Sequence, residues 1–337
     1  MKINKVLGFL GMVLQVGLSI VSVAAHAQSY QTYPSKPIKL IVPFTPGGSS
    51  DILGRAIGQE LSKAFGQPVV IENVPGAGGS LGATKAAKSA ADGYTLLMAH
   101  IGTLAVNPLI YPSLSYDPIK SFDPVAWVAR VPNILVVHPS VKANTVAELV
   151  ALLKANPGKL NYGSGGNGSA AQLTTEYFKL KTHTFIVHVP YRGTVPAITD
   201  VISGQIQMAF TGAPAVLPFI KSGQLKAIAV SSVSRLDGLP LVPTIREAAA
   251  TSGLKPLADF EADQWYGVVA PAGTPTQIVA KLNAHVQKAL SSPEMQGRLQ
   301  TEGAIAMPSS PEVFGQLIQS ELVRWAPVIK AGRIKLD

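Results

Sequence analysis

Residues 38–51, Ile38-Lys39-Leu40-Ile41-Val42-Pro43-Phe44-Thr45-Pro46-Gly47-Gly48-Ser49-Ser50-Asp51, decide the fold class of this chain. Ile38 to Val42 reads as a buried strand, because a short apolar run bounded by proline is too brief for a helix. Pro43 to Ser50 reads as a loop. A helix is expected over Asp51 to Phe65, since Ile52, Leu53, Ala56, Ile57, Leu61, Ala64 and Phe65 recur at three- and four-residue intervals and make one apolar stripe. A strand that feeds such a helix through a glycine-rich turn opens an α/β unit.

Outward from that stretch the pattern repeats. Val69 to Ile71 and Tyr94 to Ala99 read as strands, with the glycine-rich loop Pro75 to Gly82 and a helix over Ala83 to Ala91 between them. A second series starts at Ile134 to Val137, where Thr145 opens a helix and Glu148 completes a capping box. Strands at Leu160 to Tyr162, Phe185 to Val189, Ile206 to Phe210 and Leu225 to Val230 then alternate with helices, among them Ala170 to Lys181 and Pro196 to Ser203. Ser231 to Asp263 reads as connection, with one helical piece near Ile245 to Ala250. A strand at Tyr266 to Ala270 and helices over Thr276 to Leu290, about Pro293 to Glu302, and from Pro311 towards Lys330 follow. Such alternation implies two α/β units with mostly parallel sheets. The part after Asp263 is too short to form a unit alone, so it is expected to pack back on the first, making the chain cross between units twice.

Composition narrows the function classes. Lys2 and Lys5 precede an uncharged apolar stretch from Val6 to Ala25, and Ala25-His26-Ala27 supplies the small residues of a signal-peptide cleavage site. Residues 1–27 therefore read as a secretory signal peptide cleaved after Ala27. No later run approaches the roughly 20 apolar residues needed to span a bilayer, so the mature chain is expected to be soluble. The absence of cysteine excludes disulfides, thiolate metal sites and cysteine nucleophiles. The net charge of +9, which falls by two to +7 without Lys2 and Lys5, comes from scattered residues. There is no basic run of the kind nucleic acid requires. His100, His138, His183, His188 and His285 show no metal-ligand spacing, so neither metal nor cofactor is expected.

Two loops carry the functional signal: Pro43 to Asp51 and Gly163-Ser164-Gly165-Gly166-Asn167-Gly168-Ser169. Each follows a strand and opens a helix. Glycines let backbone N–H groups converge, hydroxyls add donors, and a helix N-terminus carries about half a positive charge, so each is a candidate anion cradle. One such site contributes about 0.3–2 kcal/mol, whereas two across a cleft could hold both ends of a dicarboxylate or an amino acid without a charged side chain. Gly163-x-Gly165-x-x-Gly168 also matches a dinucleotide fingerprint, but no acidic residue follows at about 20 residues. Gly78-Gly79-Ser80-Leu81-Gly82 matches a nucleophile elbow, which makes a secreted serine hydrolase using Ser80 the alternative reading. Arg192, after the strand that holds His188, is a further candidate for the cleft.

At these residues the chain resembles the substrate-binding proteins of tripartite tricarboxylate transporters, the Bug family. The resemblance is carried by Pro37 to Phe44 leading into Pro46-Gly47-Gly48, Asn73-Val74-Pro75-Gly76-Ala77-Gly78-Gly79, Asp92-Gly93-Tyr94-Thr95-Leu96-Leu97, Tyr162-Gly163-Ser164, Val189-Pro190-Tyr191-Arg192-Gly193, Ala229-Val230-Ser231, Trp265-Tyr266-Gly267 and Ala270-Pro271-Ala272-Gly273-Thr274-Pro275. It implies a periplasmic Venus flytrap of the type II binding-protein fold, with residues 28–132 and 255–337 in one lobe and 133–254 in the other. It further implies a monomeric, non-enzymatic receptor that hands a small carboxylate, whether a dicarboxylate, a tricarboxylate, an amino acid or a related organic acid, to a large and a small integral-membrane subunit. The ligand set expected is Phe44, Thr45, Gly47, Gly48, Ser49, Asp51, Ala77 and Ile101 from the first lobe. Ser164, Gly165, Asn167, Ser169, Arg192 and Thr211 are expected from the second. The chain departs from the family pattern at Thr211, where many relatives have aspartate, and at Gln172, where many have histidine.

Overall fold

Ile38–Val42 forms strand β1, and its alternating side chains are buried against helices on both sides. The computed structural model describes residues 33–332 and 334; the expected signal peptide lies outside the described residues. Helix α1 (Ser49–Phe65) starts two residues earlier than its apolar periodicity suggests. It ends where Gly66 turns left-handed and returns its N–H to the Ser62 carbonyl. Strand β2 (Val69–Asn73), α2 (Ser80–Ala87) and β3 (Thr95–His100) follow, and then a π-helical turn at Gly102–Val106 runs into α3 (Asn107–Ile110). Strand β4 (Phe122–Val131) passes through Pro132 alone into β5 (Asn133–Val137).

The second series comprises α4 (Val146–Ala155), β6 (Asn161–Ser164), α5 (Ala170–Thr182), β7 (Val187–Pro190), α6 (Thr194–Ile202), β8 (Met208–Gly212), α7 (Ala213–Lys221) and β9 (Lys226–Val230). After α8 (Ile245–Ser252) come β10 (Gln264–Pro271), α9 (Thr276–Leu290), α10 (Pro293–Thr301), β11 (Ile305–Ala306) and α11 (Pro311–Gly332). Two sheets result, ordered β11-β4-β10-β3-β1-β2 and β7-β6-β8-β5-β9. The chain crosses between them at Pro132 and again between β9 and β10.

The two-lobed α/β architecture agrees with the sequence reading, but the strand sense is mixed rather than mostly parallel. β1 is parallel to β2 and β3, and β6 is parallel to β7 and β8. β10 runs antiparallel to both β3 and β4, and β5 antiparallel to both β8 and β9. The reversal follows from the crossings: β5 and β10 each enter a sheet from the other lobe and not through a strand-helix-strand unit within that sheet, the connection that makes neighbours parallel. Strand β4 is not legible in the sequence. Pro124 argues against a central strand, yet the β4–β10 pairing shifts register beside it and accommodates the missing donor.

Both sheets are covered on both faces. One face of the first sheet meets Leu53, Ile57 and Leu61 of α1 and Leu282 and Val286 of α9. Its opposite face and one face of the second sheet share a continuous core through Phe178, Phe260, Phe314 and Trp325. The expected capping box at Thr145 is only half made. Thr145 accepts the Glu148 N–H at 3.1 Å, but the Glu148 carboxylate takes the N–H of Asn144. The full reciprocal box belongs to Thr244 and Glu247.

Candidate ligand-binding cleft

Each lobe places its glycine-rich loop at the carboxyl end of its central parallel strand, β1 or β6, where sheets of this type bind ligands. The two loops meet around one small cavity of about 20 Å³, room for a water-sized guest. From the first lobe it is lined by Phe44, Thr45, Gly48, Ser49 and Ser50, with His100, Gln264 and Tyr266 beneath. The second lobe contributes Ser169, Ala170, Ala171, Thr194 and Thr211. The two loops thus lie close together around this space.

The helix ends explain what this lining can do. Ser49 and Ser50 begin α1, and Ala170 and Ala171 begin α5, so their N–H groups have no intrahelical acceptor. Two helix dipoles thus direct positive ends at one space. No side chain in the lining carries a formal charge at neutral pH. His100 is wholly buried, and that burial lowers its pKa to about 4 although its bond to Gln264 pulls the other way. Burial likewise raises the Tyr266 phenol, despite the Ser49 and Ser50 hydroxyls beside it. Phe44 and Tyr266 pack on the His100 ring at centroid distances of 5.1 and 4.9 Å. The Thr45 hydroxyl is buried without a hydrogen-bond partner among the described residues.

Of the expected ligand set, Phe44, Thr45, Gly48, Ser49, Ser169 and Thr211 line the cavity. The others do not, each for a physical reason. Asp51 turns back into its own loop, accepting from the Gly47 N–H at 3.0 Å, Arg55 Nε at 2.9 Å and Asn73 Nδ2 at 3.0 Å. Burial would raise its carboxyl pKa, but these bonds outweigh it and hold the group below the usual carboxylate range. Asp51 is thus a brace for the loop, with Gly47 exposed above it. Ser164 is occupied by His188 Nε2 at 2.7 Å and by the turn at Gly166, and Asn167 by Gln172. Gly165 packs beneath Thr194. Ile101 is committed to the hydrophobic core, Ala77 is exposed on the turn before α2, and Arg192 is exposed outside the cavity.

Gln172 has a bracing role too, since its Oε1 accepts the Gly168 N–H at 2.8 Å. Across the seam, Tyr111 donates to the Asn167 carbonyl at 3.1 Å. Gly193, at φ 140°, lets the second lobe lie against Thr45, where a Cβ would collide with the threonine hydroxyl. Seven lining residues are not in the expected ligand set: Ser50, His100, Ala170, Ala171, Thr194, Gln264 and Tyr266, of which Ser50 belongs to the first loop. Thr194 carried a usable signal, a hydroxyl at a helix start after glycine. The Trp265-Tyr266-Gly267 motif pointed at the right strand. Ser80 is buried, with its Oγ accepting from Asn107 Nδ2 at 2.8 Å. His100 is bonded to Gln264 and Gly102 instead of Ser80, so the nucleophile-elbow reading fails on geometry.

Comparison with known proteins shows the family. Residues 53–334 match the family model described as the tripartite tricarboxylate transporter family receptor. The chain belongs to this family. Its relative BugT of Bordetella pertussis is 38% identical over 325 residues, which cover 96% of this chain and 97% of BugT. A solved structure of Rpa4515 from R. palustris with adipate is 37% identical, with a TM-score of 0.86, covering 90% of this chain and 100% of that one. MatC from Rhodopseudomonas palustris with bound malate is 34% identical, with a TM-score of 0.82, covering 88% and 100%. Members of the family are periplasmic solute-binding receptors, not enzymes. Among the described residues no helix is long and apolar enough to cross a membrane.

Proposed function

We propose that this receptor captures a small organic dicarboxylate between its lobes and presents it to integral-membrane transporter subunits, one large and one small. The observation that carries the reading is the convergence of two helix N-termini, α1 and α5, on a cleft with no charged side chain in its lining. One carboxylate would lie on the Ser49 and Ser50 amides and the other on those of Ala170 and Ala171. Thr45, Thr194 and Thr211 would add hydroxyls, and Phe44 would wall the space. The adipate and malate seen in the two solved relatives support this class of ligand.

In this reading the lobes comprise residues 28–132 with 255–337, and residues 133–254. A ligand that touches both lobes binds the closed form better than the open one and shifts the population towards it. The membrane partner reads that closed form. The receptor works as a monomer in the periplasm, after removal of residues 1–27.

Titration calorimetry with adipate and malate, each against its dimethyl ester, tests the proposal. The diacids should bind saturably at one site per chain, and the esters should not bind. Equal binding of acid and ester would overturn it.

A further inference from the structure

The floor of the cleft contains a hydrogen-bond chain whose direction is set by the backbone at both ends. At one end the Gly102 N–H, which can only donate, reaches His100 Nδ1 at 3.0 Å. A neutral His100 must then carry its proton on Nε2, which lies 2.8 Å from Gln264 Oε1. The Tyr266 hydroxyl donates to that same oxygen. At the other end the Ala262 carbonyl, which can only accept, lies 2.6 Å from Asn133 Nδ2. That contact turns Asn133 Oδ1 towards Gln264, whose Nε2 donates to it. The Gln264 oxygen is thus filled twice from within the protein. Its second amide hydrogen has no partner among the described residues, and a Cβ on Gly212 would lie 3.0 Å from that nitrogen, beside Thr211 of the lining.

Resting on the carboxylate reading above, we infer that Gln264 is a specificity-determining residue, locked by His100, Tyr266 and Asn133 so that it offers the cleft an N–H donor and never an acceptor. The floor therefore recognises an anionic or carbonyl oxygen and rejects groups that can only donate. It sits where β10 re-enters the first lobe, and its Asn133 partner begins β5 in the second. The donor is consequently aimed by contacts from both lobes.

The test compares adipate with its neutral diamide, adipamide, on the unmodified receptor and on the Gln264→Glu and Gln264→Met variants, with melting curves to verify folding. Gln264→Glu keeps the oxygen that His100 and Tyr266 bond but replaces the donor with an anionic acceptor. It should weaken adipate by ~100-fold or more and move the preference towards adipamide. Gln264→Met, which removes the donor together with the oxygen that His100 and Tyr266 bond but introduces no acceptor, should cost about 10-fold and leave the preference for adipate in place. A residue with a merely structural role would weaken both ligands alike in both variants. Adipate binding within a few-fold of the unmodified receptor in Gln264→Glu would overturn the inference.

Ring-nitrogen chemical shifts of His100 supply a readout without ligand. A proton on Nε2 supports the locked orientation, and a proton on Nδ1 overturns it. If the unmodified receptor binds no dicarboxylate, the ligand reading fails, and the shifts alone decide this inference.

Discussion

His100 connects the chemistry of the cleft to the stability of the whole receptor. It is 3% exposed, and burial sets its pKa at about 4 against an ordinary 6.5. The unfolded chain therefore takes up the proton first on acidification. Between pH 6.5 and about 4 the unfolded state binds more protons at this position, so stability falls with pH through that window. The gap between the two values, at ~1.4 kcal/mol for each pH unit, amounts to ~3 kcal/mol. Urea unfolding from about pH 7 down to about pH 4, on the unmodified protein and on His100→Gln, isolates the effect, since every other titrating group is common to both. The unmodified protein should lose ~3 kcal/mol more than the variant. Parallel stability curves would refute the assignment of a buried neutral imidazole.

Other substitutions have distinct expected outcomes. Asp51→Ala frees the Gly47 N–H and the Arg55 and Asn73 side chains, so melting temperature should fall by an amount equivalent to ~1–3 kcal/mol and adipate should bind more weakly. Calorimetry should show unchanged adipate affinity for Ser80→Ala, and a fluorophosphonate should leave Ser80 unlabelled, because that hydroxyl is buried against Asn107. Gly193→Ala places a methyl on Thr45 and strains a φ of 140°, so adipate affinity should drop at least ~10-fold. Arg130→Met strands Asp263, whose buried carboxyl has a raised pKa despite its bonds to Arg130 and Ser231. Urea unfolding near neutral pH should show a loss of ~3 kcal/mol that shrinks on acidification as the carboxyl is protonated.

The parts of the cleft legible in the sequence are those built locally. A strand, a turn of glycine and hydroxyl residues, and a helix are consecutive, so the two loops that hold Thr45, Gly48, Ser49 and Ser169 are legible from spacing. The floor was not legible because His100 and Gln264 are 164 positions apart and meet only after β10 returns from the second lobe. Strand sense is equally hidden, since an apolar run such as Asn133–Val137 buries the same side chains in either direction. Ser164, Asn167 and Asp51 lie outside the cavity lining because short polar side chains beside glycine can satisfy their own loop as readily as a ligand. Their bonds to His188, Gln172 and Gly47 show that outcome. Ser49 and Ala170 keep free amides only because the backbone itself has no acceptor there.

A crystal structure of the receptor soaked with adipate bears most directly on the paired helix ends. One carboxylate should lie within hydrogen-bonding distance of the Ser49 and Ser50 amides, and the other against those of Ala170 and Ala171. Adipate held instead by lysine or arginine side chains, or seated outside the space between the lobes, would contradict the account.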